Sequence, residues 1–293
     1  MKHLKVGIAV LCSFVSFQAF SAPEVIYGND DRKDLYEITD PLIRQQVEST
    51  ATFTLFGLIM PNSQGGYNLT DSPLGRSLNL CPEVKFRDQP SIGACSATLV
   101  APKILLTAGH CMPDQNRCEE IYLMFGFHVN APGEYMKTVA AKDVYRCKKL
   151  LARAQNSQQD FALIELDREV TDRKPVEIGN DEVVRRGDQV RLIGYPDGIP
   201  SKVVSGATVR SADWGKFVSN VDAFKGNSGS GIFSEKSGKL VGVLFMGNND
   251  YVNNVGRGCR EATVCRDWDC RGEDATQISN IWSTISPYLE SQL

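Results

Sequence analysis

Ser96-Ala-Thr-Leu-Val-Ala-Pro-Lys-Ile-Leu-Leu-Thr-Ala-Gly-His-Cys111 sets how the rest of the chain is read. Ser96–Val100 and Ile104–Thr107 are short runs of β-type residues with a brief break between them. The second run delivers His110 to a turn, and Cys111 can tether that turn back to Cys95. A histidine that acts as a base must be held still, and a disulfide beside it would supply the rigidity.

Outward from this stretch the same texture continues. Thr52–Met60, Ile121–Phe127, Met136–Ala140 and Phe161–Leu166 fit further strands of a first unit. Thr171–Asp181, polar and carrying Pro175 and Gly179, reads as the crossing to a second unit. Gln189–Ile193, Lys202–Arg210, Phe217–Val221 and Leu240–Met246 fit strands there, with turn chemistry at Gly194-Tyr-Pro-Asp-Gly198. Short strands between turns predict an all-β fold of barrels or sandwiches, and no internal repeat is visible. Ile278, Ile281, Trp282, Ile285 and Leu289 recur at helical spacing and predict one amphipathic helix at the end, its stripe packed on a barrel. The expected units are residues 1–21, an arm or pro-segment over 22–50, a first barrel over 51–172, a second over 173–271 and the helix over 272–293.

Lys2 and Lys5, the apolar run Val6–Phe17 and the small residues of Ala19-Phe20-Ser21 predict a cleaved signal peptide over 1–21. The run is too short to span a membrane comfortably, and no later stretch is apolar enough. The expectation is a secreted protein, extracellular or periplasmic, with no membrane contact after cleavage. Removing 1–21 takes two of the 32 basic residues and none of the 35 acidic ones, and that acidic balance argues against a nucleic-acid partner. Of nine cysteines only Cys12 falls in the signal; the even remainder reads as up to four disulfides. Beyond Cys95 and Cys111, the pairing of Cys81, Cys118, Cys147, Cys259, Cys265 and Cys270 stays open, although the last three suggest a locally stapled loop. With no C-x-x-C pair and only His110 and His128 after the signal, no metal site is expected.

Two further motifs carry chemistry. Asp160 opens Asp160-Phe-Ala-Leu-Ile-Glu-Leu166, where a carboxylate just before a buried strand can be shielded and aimed at an imidazole. Gly226-Asn-Ser228-Gly-Ser-Gly231 surrounds a serine with glycines, which let backbone amides turn toward one point where a Cβ would obstruct them. The G-x-S-x-G elbow of lipases is not satisfied, because position 230 is serine. The order His110, Asp160, Ser228 separates the chymotrypsin-like arrangement from those of subtilisins and α/β-hydrolases.

On Thr107-Ala-Gly-His-Cys111, Asp160-Phe-Ala-Leu163 and Gly226-Asn-Ser-Gly-Ser230 the chain resembles the trypsin/chymotrypsin clan, most closely its bacterial glutamyl endopeptidase-like branch. Val25-Ile-Tyr-Gly-Asn-Asp-Asp-Arg32 resembles the start of the mature enzyme in that branch. The resemblance implies two six-stranded antiparallel β-barrels with the active site between them. It also implies a monomeric serine endopeptidase, acting on protein or peptide substrates through an acyl-enzyme and needing no cofactor. Ser228 would be the nucleophile, His110 the base, Asp160 its orienter, and the amides of Gly226 and Ser228 the oxyanion hole. Asn227 stands where animal trypsins carry the aspartate that pairs with a freed N-terminal amine, which argues against that switch here. The pocket candidates are Asp222, Phe224, Lys225, Leu244 and Gly247. Leu244 replaces the histidine of glutamate-specific members; Asp222 matches the aspartate of trypsins but suits a turn-stabilising role better. The alternative is an inactive homologue serving as a secreted binding protein.

Overall fold

A run such as Ile104-Leu-Leu-Thr107 is apolar at every position because both of its faces are buried. Leu105 points into one barrel, while Ile104 and Leu106 point into the seam between that barrel and the next. The computed structural model describes residues 25–290 apart from 71, 248 and 267, so the signal expected over 1–21 lies outside the described residues. The first barrel consists of β1 Thr50–Leu55, β2 Ser96–Ala101, β3 Ile104–Thr107, β4 Ile121–Phe125, β5 Val144–Gln155 and β6 Asp160–Leu166. Its strands close antiparallel in the order β6-β3-β2-β1-β4-β5. The second barrel consists of β7 Gln189–Gly194, β8 Lys202–Ala212, β9 Lys216–Ser219, β10 Gly231–Ser234, β11 Leu240–Met246 and β12 Glu273–Gln277. These close in the order β7-β8-β9-β12-β11-β10. Counted from its own first strand, each barrel has the same circular order, although the two sequences show no repeat.

Each barrel has its own core, with Phe53, Leu99, Leu105 and Ile164 in the first and Leu192, Val209, Phe217 and Leu244 in the second. A third core joins them: Leu106, Phe161 and Leu163 meet Ile193, Phe233 and Val243. Helix α4, Ile278–Glu290, caps this seam with Ile278, Ile281, Ile285 and Leu289, so the expected stripe packs on both barrels together.

Three strand expectations are corrected. The sixth strand of the first barrel is β5, Val144–Gln155, and not Met136–Ala140; residues Thr138–Ala140 join a small side sheet with Ile59–Pro61 and Gly66–Leu69. Thr52–Met60 is not one strand, because β1 ends at Leu55. The second barrel continues past 271, since β12 closes it from inside the span read as terminal helix. The arm is also more than polar linker. It contains helix α1, Pro41–Glu48, capped by Asp40, whose side chain accepts the N–H groups of Leu42 and Ile43 at 2.8 and 3.2 Å. Two short helices, α2 Leu74–Leu78 and α3 Gln115–Glu120, lie in connections.

Cys95 pairs with Cys111 as expected, and the other bridges are Cys81–Cys259, Cys118–Cys147 and Cys265–Cys270. Only Cys265 and Cys270 staple locally; Cys259 reaches back to the segment after α2. Among the described residues no helix is long and apolar enough to cross a membrane.

Candidate active site

At the end of β3 the chain makes a helical turn, Gly109–Cys111, that presents His110 at the seam. Gly109 is required there, since a Cβ would run into the carbonyl oxygens of Ala154 on β5 and Phe161 on β6. Asp160, the first residue of β6, takes hold of this turn at two points. Its Oδ1 accepts the His110 backbone N–H at 3.0 Å, and its Oδ2 lies 3.1 Å from His110 Nδ1. With the carboxylate on Nδ1, that nitrogen carries the proton and Nε2 is left facing outward as a base. The Asp160 side chain is 8% exposed against 34% for His110, so the carboxylate is shielded while the imidazole is reachable. Thr276 on β12 braces Asp160 from the other barrel: its Oγ1 accepts the Asp160 N–H at 2.9 Å and donates to the Asp160 carbonyl at 3.1 Å.

Ser228 lies in the connection before β10. Phe224 O accepts the Asn227 N–H at 2.9 Å and Asn227 O accepts the Ser230 N–H at 2.8 Å, winding the segment into consecutive tight turns. Gly226 and Gly229 adopt φ values of +96° and +89°, open to glycine alone at little cost. Space makes the same demand, because a Cβ on Gly229 would strike Ser96 O and Thr107 Oγ1. Among the described residues the N–H groups of Gly226 and Ser228 have no hydrogen-bond acceptor, while those of Asn227, Gly229 and Ser230 are all taken. An oxyanion site requires N–H donors free to meet a developing charge, and these two amides are free in that sense.

The loop is fastened to the first barrel by Ser96. The Ser96 N–H donates to Ser228 O at 2.8 Å, its Oγ donates to Gly226 O at 2.9 Å, and Oγ accepts the Tyr195 N–H at 3.0 Å. Cys111 Sγ lies 3.6 Å from Ser228 O, so the Ser228 backbone touches the residue next to His110. The three segments therefore meet at one seam. Among the described residues no hydrogen bond joins Ser228 Oγ to His110; such bonds often tighten only when substrate arrives. Both sulfurs near His110 are committed to the Cys95–Cys111 bridge, which removes them as metal ligands. His128 is buried beside Glu48, Nε2 lying 3.6 Å from Oε1, and burial holds its proton affinity below the ordinary imidazole value.

The pocket candidates separate. Asp222 is closed to a substrate cation, because Oδ1 and Oδ2 accept the N–H groups of Tyr27 and Asp31 at 2.7 and 2.9 Å. Leu244 sits in the second barrel's core and not at a pocket wall, and Phe224 is fully buried beneath Arg32. Gly247 is buried just past β11. Lys225 alone is exposed, and with Gly226, Asp197, Leu74 and Leu78 it borders a cavity of about 280 Å³. The sequence did not point to Ser96, Thr276 or Asp197. Ser96 and Thr276 act across the seam, and Asp197 joins loops by accepting the Ser91 hydroxyl on its carbonyl and the Tyr251 hydroxyl on its carboxylate, each at 2.6 Å; no local motif marks such roles.

Two closed six-stranded barrels sharing one circular order, with a helix across their seam, define the chymotrypsin-like class. A family model described as the trypsin-like peptidase domain matches residues 95–243. The chain belongs to that family. A solved structure of a Glu endopeptidase in complex with MPD is similar at a TM-score of 0.55 and 19% identity, covering 92% of this chain and 100% of that one. At that identity the likeness is one of fold. No curated protein sequence matches the chain.

Proposed function

We propose that this chain is a secreted serine endopeptidase that cleaves peptide bonds through an acyl-enzyme. The observation that carries the reading is the two-point hold of Asp160 on His110 at the seam where the Ser228 loop is pinned. Ser228 Oγ attacks the scissile carbonyl as His110 Nε2 takes its proton; Asp160 stabilises the imidazolium. The negative charge that forms on the carbonyl oxygen meets the N–H groups of Gly226 and Ser228. His110 then returns the proton to the leaving amine, and water repeats the sequence to release the acid.

The signal expected over 1–21 and four disulfides support secretion. The occupied carboxylate of Asp222 and the buried Leu244 support a preference for neither basic nor glutamate side chains before the cleaved bond. Digestion of a proteome-derived peptide library by the purified protein tests both activity and preference. Cleavage is expected from the native chain, together with stoichiometric labelling by an organophosphonate. Both are expected to vanish in Ser228→Ala. A native chain that neither cuts peptides nor takes the label would sink the reading and favour the inactive binding homologue.

A further inference from the structure

The first described residues of the arm are held by the connection between β11 and β12 of the second barrel. Ile26–Tyr27 pairs in parallel with Val264–Cys265, and Val25 and Tyr27 pack on the Cys265–Cys270 bridge. The Tyr27 hydroxyl donates to Glu273 Oε1 on β12 at 2.8 Å. From this anchorage the arm reaches the segment that precedes Ser228. The Tyr27 and Asp31 amides close on the two oxygens of Asp222, as described above. The next residue of the arm, Arg32, holds its guanidinium 3.9 Å from the centre of the Phe224 ring, two residues beyond Asp222. Arg32 is 1% exposed, and Asp30 fixes its plane by accepting from Nε at 2.8 Å and Nη2 at 2.6 Å.

Phe224 is the residue whose carbonyl accepts the Asn227 N–H, so the ring under Arg32 belongs to the start of the turn that sets the Gly226 and Ser228 amides. Ser96 holds that turn from the first barrel, through the carbonyls of Gly226 and Ser228. The arm holds the preceding residues from the second. We infer that Arg32 and Asp222 are positioning residues: through them the arm clamps residues 222–226 so that the two idle amides converge on the substrate's carbonyl oxygen. The inference rests on the peptidase reading and deepens it. Donors act on charge that develops only in the transition state, and a displacement of about 1 Å can cost roughly 10²-fold in rate. Loss of the clamp should therefore appear in kcat and leave KM nearly alone.

The test uses the full chain and the best peptide from the library. Arg32→Met keeps an apolar stem and removes the stacked cation; Arg32→Lys keeps a cation. Arg32→Met is expected to lower kcat about 10- to 100-fold with KM within about twofold, and to slow organophosphonate labelling of Ser228 by the same factor. Arg32→Lys should recover part of that loss. Phe224→Leu removes the ring while keeping the site apolar, and is expected to reproduce the pattern; it serves if Arg32→Met does not fold. Native kcat in folded Arg32→Met or Phe224→Leu overturns the clamp and leaves the peptidase reading standing, as does a change confined to KM. A native chain inert to the phosphonate overturns the peptidase reading and the clamp with it.

Discussion

Asp160 does two things at once, fixing the backbone of the His110 turn and the tautomer of its ring. Asp160→Asn keeps the shape but offers an N–H where Nδ1–H needs an acceptor, so Nδ1 becomes the acceptor and Nε2 carries the ring proton, unable to take one from Ser228. The expected result is a kcat lower by roughly 10⁴-fold with the fold retained, read from the library peptide and from circular dichroism. Asp222 obeys the opposite electrostatics. Burial pushes its carboxyl up to about 7, and the amides of Tyr27 and Asp31 only partly oppose that. A carboxyl whose folded pKa exceeds its unfolded value of about 4 adds stability at low pH, which is lost as pH rises through the folded value. The thermal midpoint of Asp222→Asn relative to the native chain should therefore rise between pH 5 and pH 8; a difference that stays flat or falls would refute this. The candidates His110, Asp160 and Ser228 stand out in the sequence because each carries its own flanking signature, glycine and cysteine or a buried strand. Ser96 and Thr276 do not, because their value lies in a partner on the opposite barrel, and Ser96 reads locally as the plain start of a strand.

Strands were legible where both faces are apolar and obscure where they are not. β5 carries Arg146, Lys148, Lys149 and Arg153, which reach solvent or neighbouring carbonyls and break its alternation, so Met136–Ala140 is the more strand-like run by sequence. β12, Glu273-Asp-Ala-Thr-Gln277, is polar yet buried, each polar side chain having a dedicated partner: Tyr27 for Glu273, Lys216 for Asp274, Asp160 for Thr276 and Val184 for Gln277. No hydrophobic pattern can announce such a strand. Helix α1 did leave a mark, the N-cap and first-turn pair Asp40-Pro41, inside a segment whose polarity hid it. β5 is tied to α3 by Cys118–Cys147, a separation of 29 residues. Replacing both cysteines with alanine is expected to lower unfolding free energy by about 3–4 kcal/mol in urea titration. Catalytic rates should hold, since the bridge beside His110 is the separate Cys95–Cys111 pair, which the replacement leaves intact.

Two rings of the same connectivity, closed on themselves and sealed together by the Leu106, Phe233 and α4 cluster, leave function to the connections between strands. Every group assigned to the reaction sits at a strand's end or in such a connection, which is where seam geometry can be set without disturbing either core. The bridge between Cys81 and Cys259 spans most of those connections, at a sequence separation of 178. A single backbone break anywhere inside that interval would divide the polypeptide without dividing the particle. A preparation nicked by its own activity would run as one band on a gel until thiol is added, and then fall into two fragments whose lengths report where the exposed loop was cut.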